Sequence, residues 1–249
     1  MISLLFFGFC NNTFLIYNQK MEVLNRLKNK IIVSVQAAPD EPLYEEQCII
    51  AMMQSVVNGG AGGLRVAGAR DVKNAKKMFN IPVIGITKPD KLPKNWQEVV
   101  YITPSVEDER CLIEAGADII AFDGTARKRE KSSIEELINY IKSNSRLAMA
   151  DIATFEEGLN CEKLGADILS TTLSGYTMES LTNSNKSDSE PDFELLKKLV
   201  KNTKLPVILE GRIWEPKQVK KAFELGAHCV VIGSAITRPQ LITKRFIKG

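Results

Sequence analysis

The chain has 249 residues, 44% hydrophobic and 25% charged, with 33 Lys and Arg against 30 Asp and Glu. Such a chain can bury a substantial core, which excludes a disordered or collagen-like protein. A net charge of +3 with both signs interleaved argues against a nucleic-acid-binding face.

The N-terminal stretch MISLLFFGFCNNTFLIYNQK is apolar but broken by Asn11, Asn12 and Thr13. It is too short to span a bilayer and lacks the basic start and cleavage site of a secretion signal. Residues 1–20 are therefore expected to lie outside the working domain, which runs from Met21 to Gly249. No membrane partner is expected.

From residue 31 onward, short apolar runs alternate with amphipathic stretches. The runs are IIVSVQ (31–36), GLRVAG (63–68), PVIGIT (82–87), DIIAFD (118–123), LAMADI (147–152), DILSTT (167–172), PVILEG (206–211) and CVVIGS (229–234). Near-continuous apolarity implies burial on both faces, as in parallel strands covered by helices. Helical spacing marks 43–57, 105–114, 133–142, 154–164, 192–202 and 215–225. Three of these helices run into EAGAD (114–118), KLGAD (163–167) and ELGAH (224–228), where glycine suits a helix C-cap. The recurrence reads as one βα unit repeated, and eight units in this length give a single-domain α/β TIM (β/α)8 barrel. A ninth apolar run, VVYITP (99–104), follows the proline-rich KPDKLPKNW with no room for a helix, so it belongs to the loop after the third strand. A doubly wound open sheet is the alternative, but QAAPDEPL after the first strand has no glycine fingerprint.

Cys10, Cys48, Cys111, Cys161 and Cys229 are widely spaced and odd in number, which fits a reducing compartment such as the cytoplasm. His228 is the single histidine. One histidine cannot build a multi-histidine metal site, and it starts a strand at the wrong end of a barrel for a catalytic triad.

In this fold the chemistry sits at the C-terminal ends of the strands. Read in order, those ends offer Gln36, Arg65, Lys88, Asp123, Asp151, the Ser170–Thr172 stretch, Glu210 to Arg212, and Gly233 with Ser234. EGR (210–212) and IGSAITRP (232–239) are small glycine-containing loops. Their backbone amides, a following helix, and Arg212 or Arg238 suit an anion such as phosphate. Lys88 and Glu210 fall on strands four apart, hence on opposite walls of the mouth. An amine facing a carboxyl suits removal of a proton from one face of a carbon and its return to the other. The competing reading is an ion pair, between these two or with Asp151 or Arg65.

VSVQAAPDEPL (33–43), GLRVAG (63–68), PVIGITK (82–88), YITP (101–104), AFDGTARKR (121–129), RLAMADIAT (146–154), LSTTLSGYT (169–177), PVILEGRI (206–213) and VVIGSAITRPQLITKRF (230–246) together carry a resemblance. The chain resembles bacterial-type N-acylglucosamine-6-phosphate 2-epimerases, which interconvert N-acetylmannosamine 6-phosphate and N-acetylglucosamine 6-phosphate. The resemblance implies an isomerase of amino-sugar and sialic acid catabolism, with no metal or other cofactor and a phosphorylated amino sugar as partner. It implies proton abstraction at C2 of the open-chain sugar, with Lys88 and Glu210 as the acid/base pair. Arg65 and Asp151 would position sugar and bases, and Gln36 would touch the sugar. Gly211, Arg212, Gly233, Ser234 and Arg238 would hold the phosphate. A different isomerase or lyase on the same phosphate-binding barrel is the alternative, and a homodimer is left open. Residues 178–191 (MESLTNSNKSDSEP) form a polar loop after the sixth strand, to be read either as a lid or as a plain mobile loop.

Overall fold

The structure is a computed structural model that describes residues 17–182 and 190–248. Residues 1–16 of the N-terminal extension and 183–189 of the candidate lid lie outside the described residues.

Helix α1 (17–27) is followed by β1 (Ile31–Val35), α2 (Glu46–Asn58), β2 (Gly63–Ala67), α3 (Ala69–Met78), β3 (Val83–Ile86), α4 (Val106–Glu114) and β4 (Ile119–Asp123). Then come α5 (Ile134–Ser143), β5 (Leu147–Asp151), α6 (Phe155–Leu164), β6 (Ile168–Ser170), α7 (Met178–Thr182) and α8 (Phe193–Asn202). The chain closes with β7 (Val207–Glu210), α9 (Pro216–Glu224), β8 (Cys229–Ile232), α10 (Ser234–Thr237) and α11 (Pro239–Lys248). The eight strands pair in parallel in sequence order and β8 returns to β1, so the sheet is a closed barrel with no free edge.

Alternation along each strand sorts the core into two layers. Leu64, Val66, Ile120, Phe122, Ala148, Ala150, Val207 and Leu209 face outward and pack under the helices. Ile84, Ile86, Ile119, Ala121, Leu147, Met149, Ile208 and Val231 face inward and fill the barrel. Leu27 of α1 belongs to the inner layer, so α1 plugs the bottom of the barrel. This helix runs through the boundary placed at residue 20, and Lys20 lies 3.5 Å from Asp167.

The recurrent Gly-Ala-Asp step has a structural role. Gly116, Gly165 and Gly226 all take positive φ at helix ends, the region glycine enters without a Cβ clash. Two residues on, Asp118 accepts the Val83 amide at 2.8 Å and Asp167 accepts the Ala148 amide at 2.9 Å. In the third copy His228 takes the aspartate's place, its Nε2 2.8 Å from the Leu24 carbonyl of α1. Burial lowers the pKa of this ring. His228 is thus a fastening at the closed end of the barrel, away from the mouth.

Seven of the eight strands stop one or two residues short of the apolar runs, and β4 ends with its run at Asp123. The sixth turns at Thr171–Leu173 into a 3-10 turn. The run 99–104 forms no strand. Helix α3 has a narrow apolar stripe, with Val72 and Ala75 its buried apolar residues. Its sequence, ARDVKNAKKM, is otherwise polar and so does not stand out beside the more apolar helical stretches.

Candidate active site

Inward alternation carries ionisable groups to the top of the barrel. Arg65 follows Gly63 on the inner face of β2, Asp151 follows Met149 on β5, and Glu210 follows Ile208 on β7. On the same parity, Gln36 extends Ser34 beyond β1 and Lys88 extends Ile86 beyond β3. These side chains converge because the strands twist around one axis.

Arg65 is fully buried and donates from Nη1 to Asp151 Oδ1 at 3.0 Å and from Nη2 to Asp151 Oδ2 at 2.5 Å. The same Nη1 lies 3.0 Å from Glu210 Oε2. Burial alone acts to lower the Arg65 pKa, and the two carboxylates outweigh it and raise it. Such a fork stays charged and holds both acids in place. Thr172 stands between the carboxylates, its Oγ1 2.7 Å from Asp151 Oδ1 and 3.1 Å from Glu210 Oε2. Ser170 Oγ lies 2.8 Å from the same hydroxyl. One hydroxyl proton serves one acceptor at a time, and Asp151 is the nearer. Burial raises the Glu210 pKa, with Asp151 adding to it and Arg65 opposing it. A protonated Glu210 can donate to Thr172 and complete the set.

Lys88 makes no ion pair among the described residues. Its Nζ donates to Gln36 Oε1 at 2.9 Å, and Gln36 Nε2 donates to Ser34 Oγ at 2.7 Å. The residue is exposed at the rim, yet its ammonium lies among the protein groups of the mouth. Desolvation there, with Arg65 next in weight, lowers its pKa to about 8. The ion-pair reading is thus met for Glu210, which pairs with Arg65, and not for Lys88.

A cavity of ≈ 390 Å³ opens over these groups, within the range of small-molecule sites. Larger hollows of ≈ 530 and ≈ 680 Å³ lie against α8 and behind the loop after β3. Neither is lined by Glu210, which lines the smaller cavity together with Gln36 and Lys88, so the smaller cavity is the site; Arg65 and Asp151 do not line it and stand behind Glu210. On its far side the amides of Gly211, Arg212, Gly233 and Ser234 have no hydrogen-bond partner among the described residues. Gly211 sits at φ +105° and Arg212 at φ +58°, a turn that presents successive amides to one point. The helix that follows, α10, has only four residues, so the cradle rests on the amides themselves.

The two loop arginines are engaged elsewhere. Arg212 Nε donates to the Glu190 carbonyl at 2.7 Å, its Nη1 to the Ser174 carbonyl, and its guanidinium lies 5.6 Å from the Tyr176 ring centroid. Arg238 pairs with Glu41, which also accepts the Ala38 amide at 2.7 Å and Gln240 Nε2 at 2.9 Å. Both arginines line the cavity, but their hydrogen bonds shape loops. Thr172, from the strand-end stretch Ser170–Thr172, also lines it, as do Tyr101, Tyr176, Trp214 and Ser34, which are absent from the sequence-based set. The aromatic residues YITP and LSGYT sit in loops without periodicity, so only contacts across the mouth reveal them. Among the described residues, no cluster of His, Cys, Asp and Glu is grouped to hold a metal ion.

Residues 49–249 match a family described as "Putative N-acetylmannosamine-6-phosphate epimerase". A relative named as the 2-epimerase from Clostridium perfringens is 45% identical over 226 residues, covering 90% of this chain and 98% of that one. The one from Clostridioides difficile is 42% identical over 229 residues, with 91% and 98% covered. A solved structure of N-acetylmannosamine-6-phosphate 2-epimerase from Clostridium perfringens superimposes with a TM-score of 0.83 at 44% identity, over 90% of this chain and 95% of that one. The chain belongs to the N-acetylmannosamine-6-phosphate 2-epimerase family.

Proposed function

We propose that this protein interconverts N-acetylmannosamine 6-phosphate and N-acetylglucosamine 6-phosphate at C2, within amino-sugar and sialic acid breakdown. The observation that carries the reading is an amine without a counter-ion, Lys88, facing the Arg65–Asp151–Glu210 cluster across one cavity with an amide cradle at its side. The phosphate at C6 is held by the amides of Gly211, Arg212, Gly233 and Ser234, which leaves the open-chain C2 over Lys88. The neutral amine takes the C2 proton. The C2–H bonding pair moves into the C1–C2 bond, and the carbonyl pair moves onto O1 as an enolate. Glu210, on the opposite wall, gives a proton to the other face of C2, the enolate collapses to the aldehyde, and the epimer results. Lys88 and Glu210 then return to their starting states through solvent. Arg65 and Asp151 orient Glu210, and Gln36 orients Lys88 and meets the sugar end.

A second reading has its own support. The Arg65 contact at 3.0 Å favours Glu210 as a carboxylate. In that case Lys88 both removes the proton and returns it, and the epimer forms once the enolate has turned its other face to Lys88. The variant Glu210→Gln in D2O separates the two. Wash-in of deuterium at C2 without inversion establishes Glu210 as the second proton carrier. Exchange and inversion falling together establish Lys88 as the single one.

We place the reaction in the cytoplasm; the described cysteines Cys48, Cys111, Cys161 and Cys229 are all free, which suits a reducing compartment. Among the described residues no helix is long and apolar enough to cross a membrane. A homodimer is the assembly proposed, and Phe246 and Ile247, 82% and 79% exposed on α11, are apolar side chains available to it. Nucleic acid has no part in the proposed activity.

A further inference from the structure

One wall of the cavity is aromatic, and it is held from outside. Tyr101 and Tyr176 line the cavity, Tyr101 from the loop after β3 and Tyr176 from the loop after β6. Trp96 joins them. Its ring centroid is 6.5 Å from Tyr101 at an edge-on 78° and 6.4 Å from Tyr176 at 48°, within the range of favourable aromatic pairs. The Met178 amide, at the start of α7, donates to the Gln97 carbonyl at 3.4 Å. Two loops from separate strands therefore meet through one indole.

Arg127, in the loop after β4, does not line the cavity and grips this wall. Its guanidinium lies 5.7 Å from the Tyr101 ring centroid. Nη1 donates to the Trp96 carbonyl at 3.1 Å, and Nε donates to Thr125 Oγ1 at 3.0 Å. Nη2 is anchored on the fully buried carboxylate of Asp123, the last residue of β4. Asp123 in turn accepts the amide and the hydroxyl of Thr125 at 3.0 and 2.6 Å. Five donors in a rigid fork let one side chain stack on a ring, bind a carbonyl and keep a carboxylate. The Tyr101 hydroxyl has no hydrogen-bond partner among the described residues, so the wall carries an uncommitted polar tip in the cavity that Lys88 also lines.

We propose that Arg127 is a positioning residue of this active site: it ties β4 to Trp96 and Tyr101 and so sets the wall that receives the sugar body, apart from the phosphate cradle. The inference rests on the cavity being the sugar-phosphate site. Arg127 touches neither substrate nor reacting atoms; it acts through the two rings.

The test is Arg127→Lys, which keeps a cation for Asp123 and loses the planar stack and the fork. KM for N-acetylmannosamine 6-phosphate is expected to rise about tenfold, with kcat changed less than about threefold. Inorganic phosphate, used as a competitive probe of the cradle, should keep its inhibition constant within about twofold. An unchanged KM overturns the proposal, and so does a parallel weakening of inorganic phosphate, which puts the effect at the cradle. If Arg127→Lys fails to fold, Trp96→Leu removes the shared indole from a partly exposed loop and is held to the same two readings. Fluorine NMR of protein carrying 5-fluorotryptophan, with the signal assigned by Trp96→Phe, separates this proposal from the functional one. Arg127→Lys should shift the Trp96 resonance in the absence of any substrate, and an unmoved resonance contradicts the clamp. Wild-type protein that fails to epimerise this sugar contradicts the functional reading alone and leaves the resonance to decide the clamp.

Discussion

At the scale of single residues, Lys88 is placed where an amine is costly to keep charged, and that cost has a measurable sign. Its folded pKa is lowered from 10.5 to about 8. Between those values the unfolded chain binds more protons than the folded one, so the penalty is full below pH 8 and fades as pH rises toward 10.5. Lys88→Met should therefore melt at a higher temperature than wild type at pH 7, with the gap closing between pH 8 and 10.5. Differential scanning calorimetry across that range checks it. A variant destabilised at pH 7 would mean Lys88 serves the fold. The same shift sets the pH profile of kcat/KM, which should climb to a limb near pH 8 as the amine becomes neutral. Much of this site could be read from the sequence, because strand parity and strand position are local facts. Lys88, Glu210, Asp151 and Gln36 follow from where each apolar run stops, and Arg65 stands out as the one charge inside its run. Which of them pair does not follow. Arg65 meets Asp151 across 86 residues of sequence and Glu210 across the barrel, and Lys88 finds Gln36. Partner choice depends on side-chain reach across the mouth, which no sequence spacing encodes.

At the scale of elements, two connections carry predictions. The β7 loop turns at Gly211 with φ +105°, and an added Cβ there meets only Tyr176 Cε2 at 3.8 Å and the Thr172 carbonyl at 3.9 Å. Space is adequate, so the cost of Gly211→Ala lies in the backbone, about 1–2 kcal/mol. The amides of the cradle are the atoms that move. KM for the sugar phosphate should rise about tenfold with kcat largely kept, and a steady-state assay against phosphate concentration reads it directly. Helix α4 carries the second. Glu109 is fully buried, neither carboxyl oxygen has a partner among the described residues, and burial pushes its pKa to about 9. A folded pKa above the unfolded 4.5 means the folded state holds the proton across that window. Stability contributed by the neutral acid is present below 4.5 and is lost as pH rises through 9. Glu109→Gln removes the titration, so its advantage over wild type in urea unfolding should grow from pH 5 to pH 9. A constant difference across that range would show that Glu109 does not titrate there. Neither α3 nor the use of Arg212 and Arg238 as loop fasteners was legible in the sequence. The stripe of α3 is too narrow, and a loop arginine looks the same whether it faces a ligand or a carbonyl.

At the scale of the whole molecule, the βα repeat makes the division of labour. Its closed end is fastened by Asp118, Asp167 and His228, and its open end gathers the charges. The order of the eight strands could be read because each apolar run is near-continuous and three of the helices between them run into the same Gly-Ala-Asp or Gly-Ala-His step. The aromatic wall could not, since Trp96, Tyr101 and Tyr176 come from two loops and meet only when the barrel closes. The proposed reaction turns on Lys88 moving the C2 proton of a 6-phosphorylated amino sugar held in this mouth. Proton NMR of N-acetylmannosamine 6-phosphate in D2O tests it most directly, with wild type and Lys88→Ala side by side. Wild type is expected to give N-acetylglucosamine 6-phosphate carrying deuterium at C2, and Lys88→Ala to be slower by about 10²–10⁴-fold, the contribution of a general base. Lys88→Ala turning over as fast as wild type would contradict it.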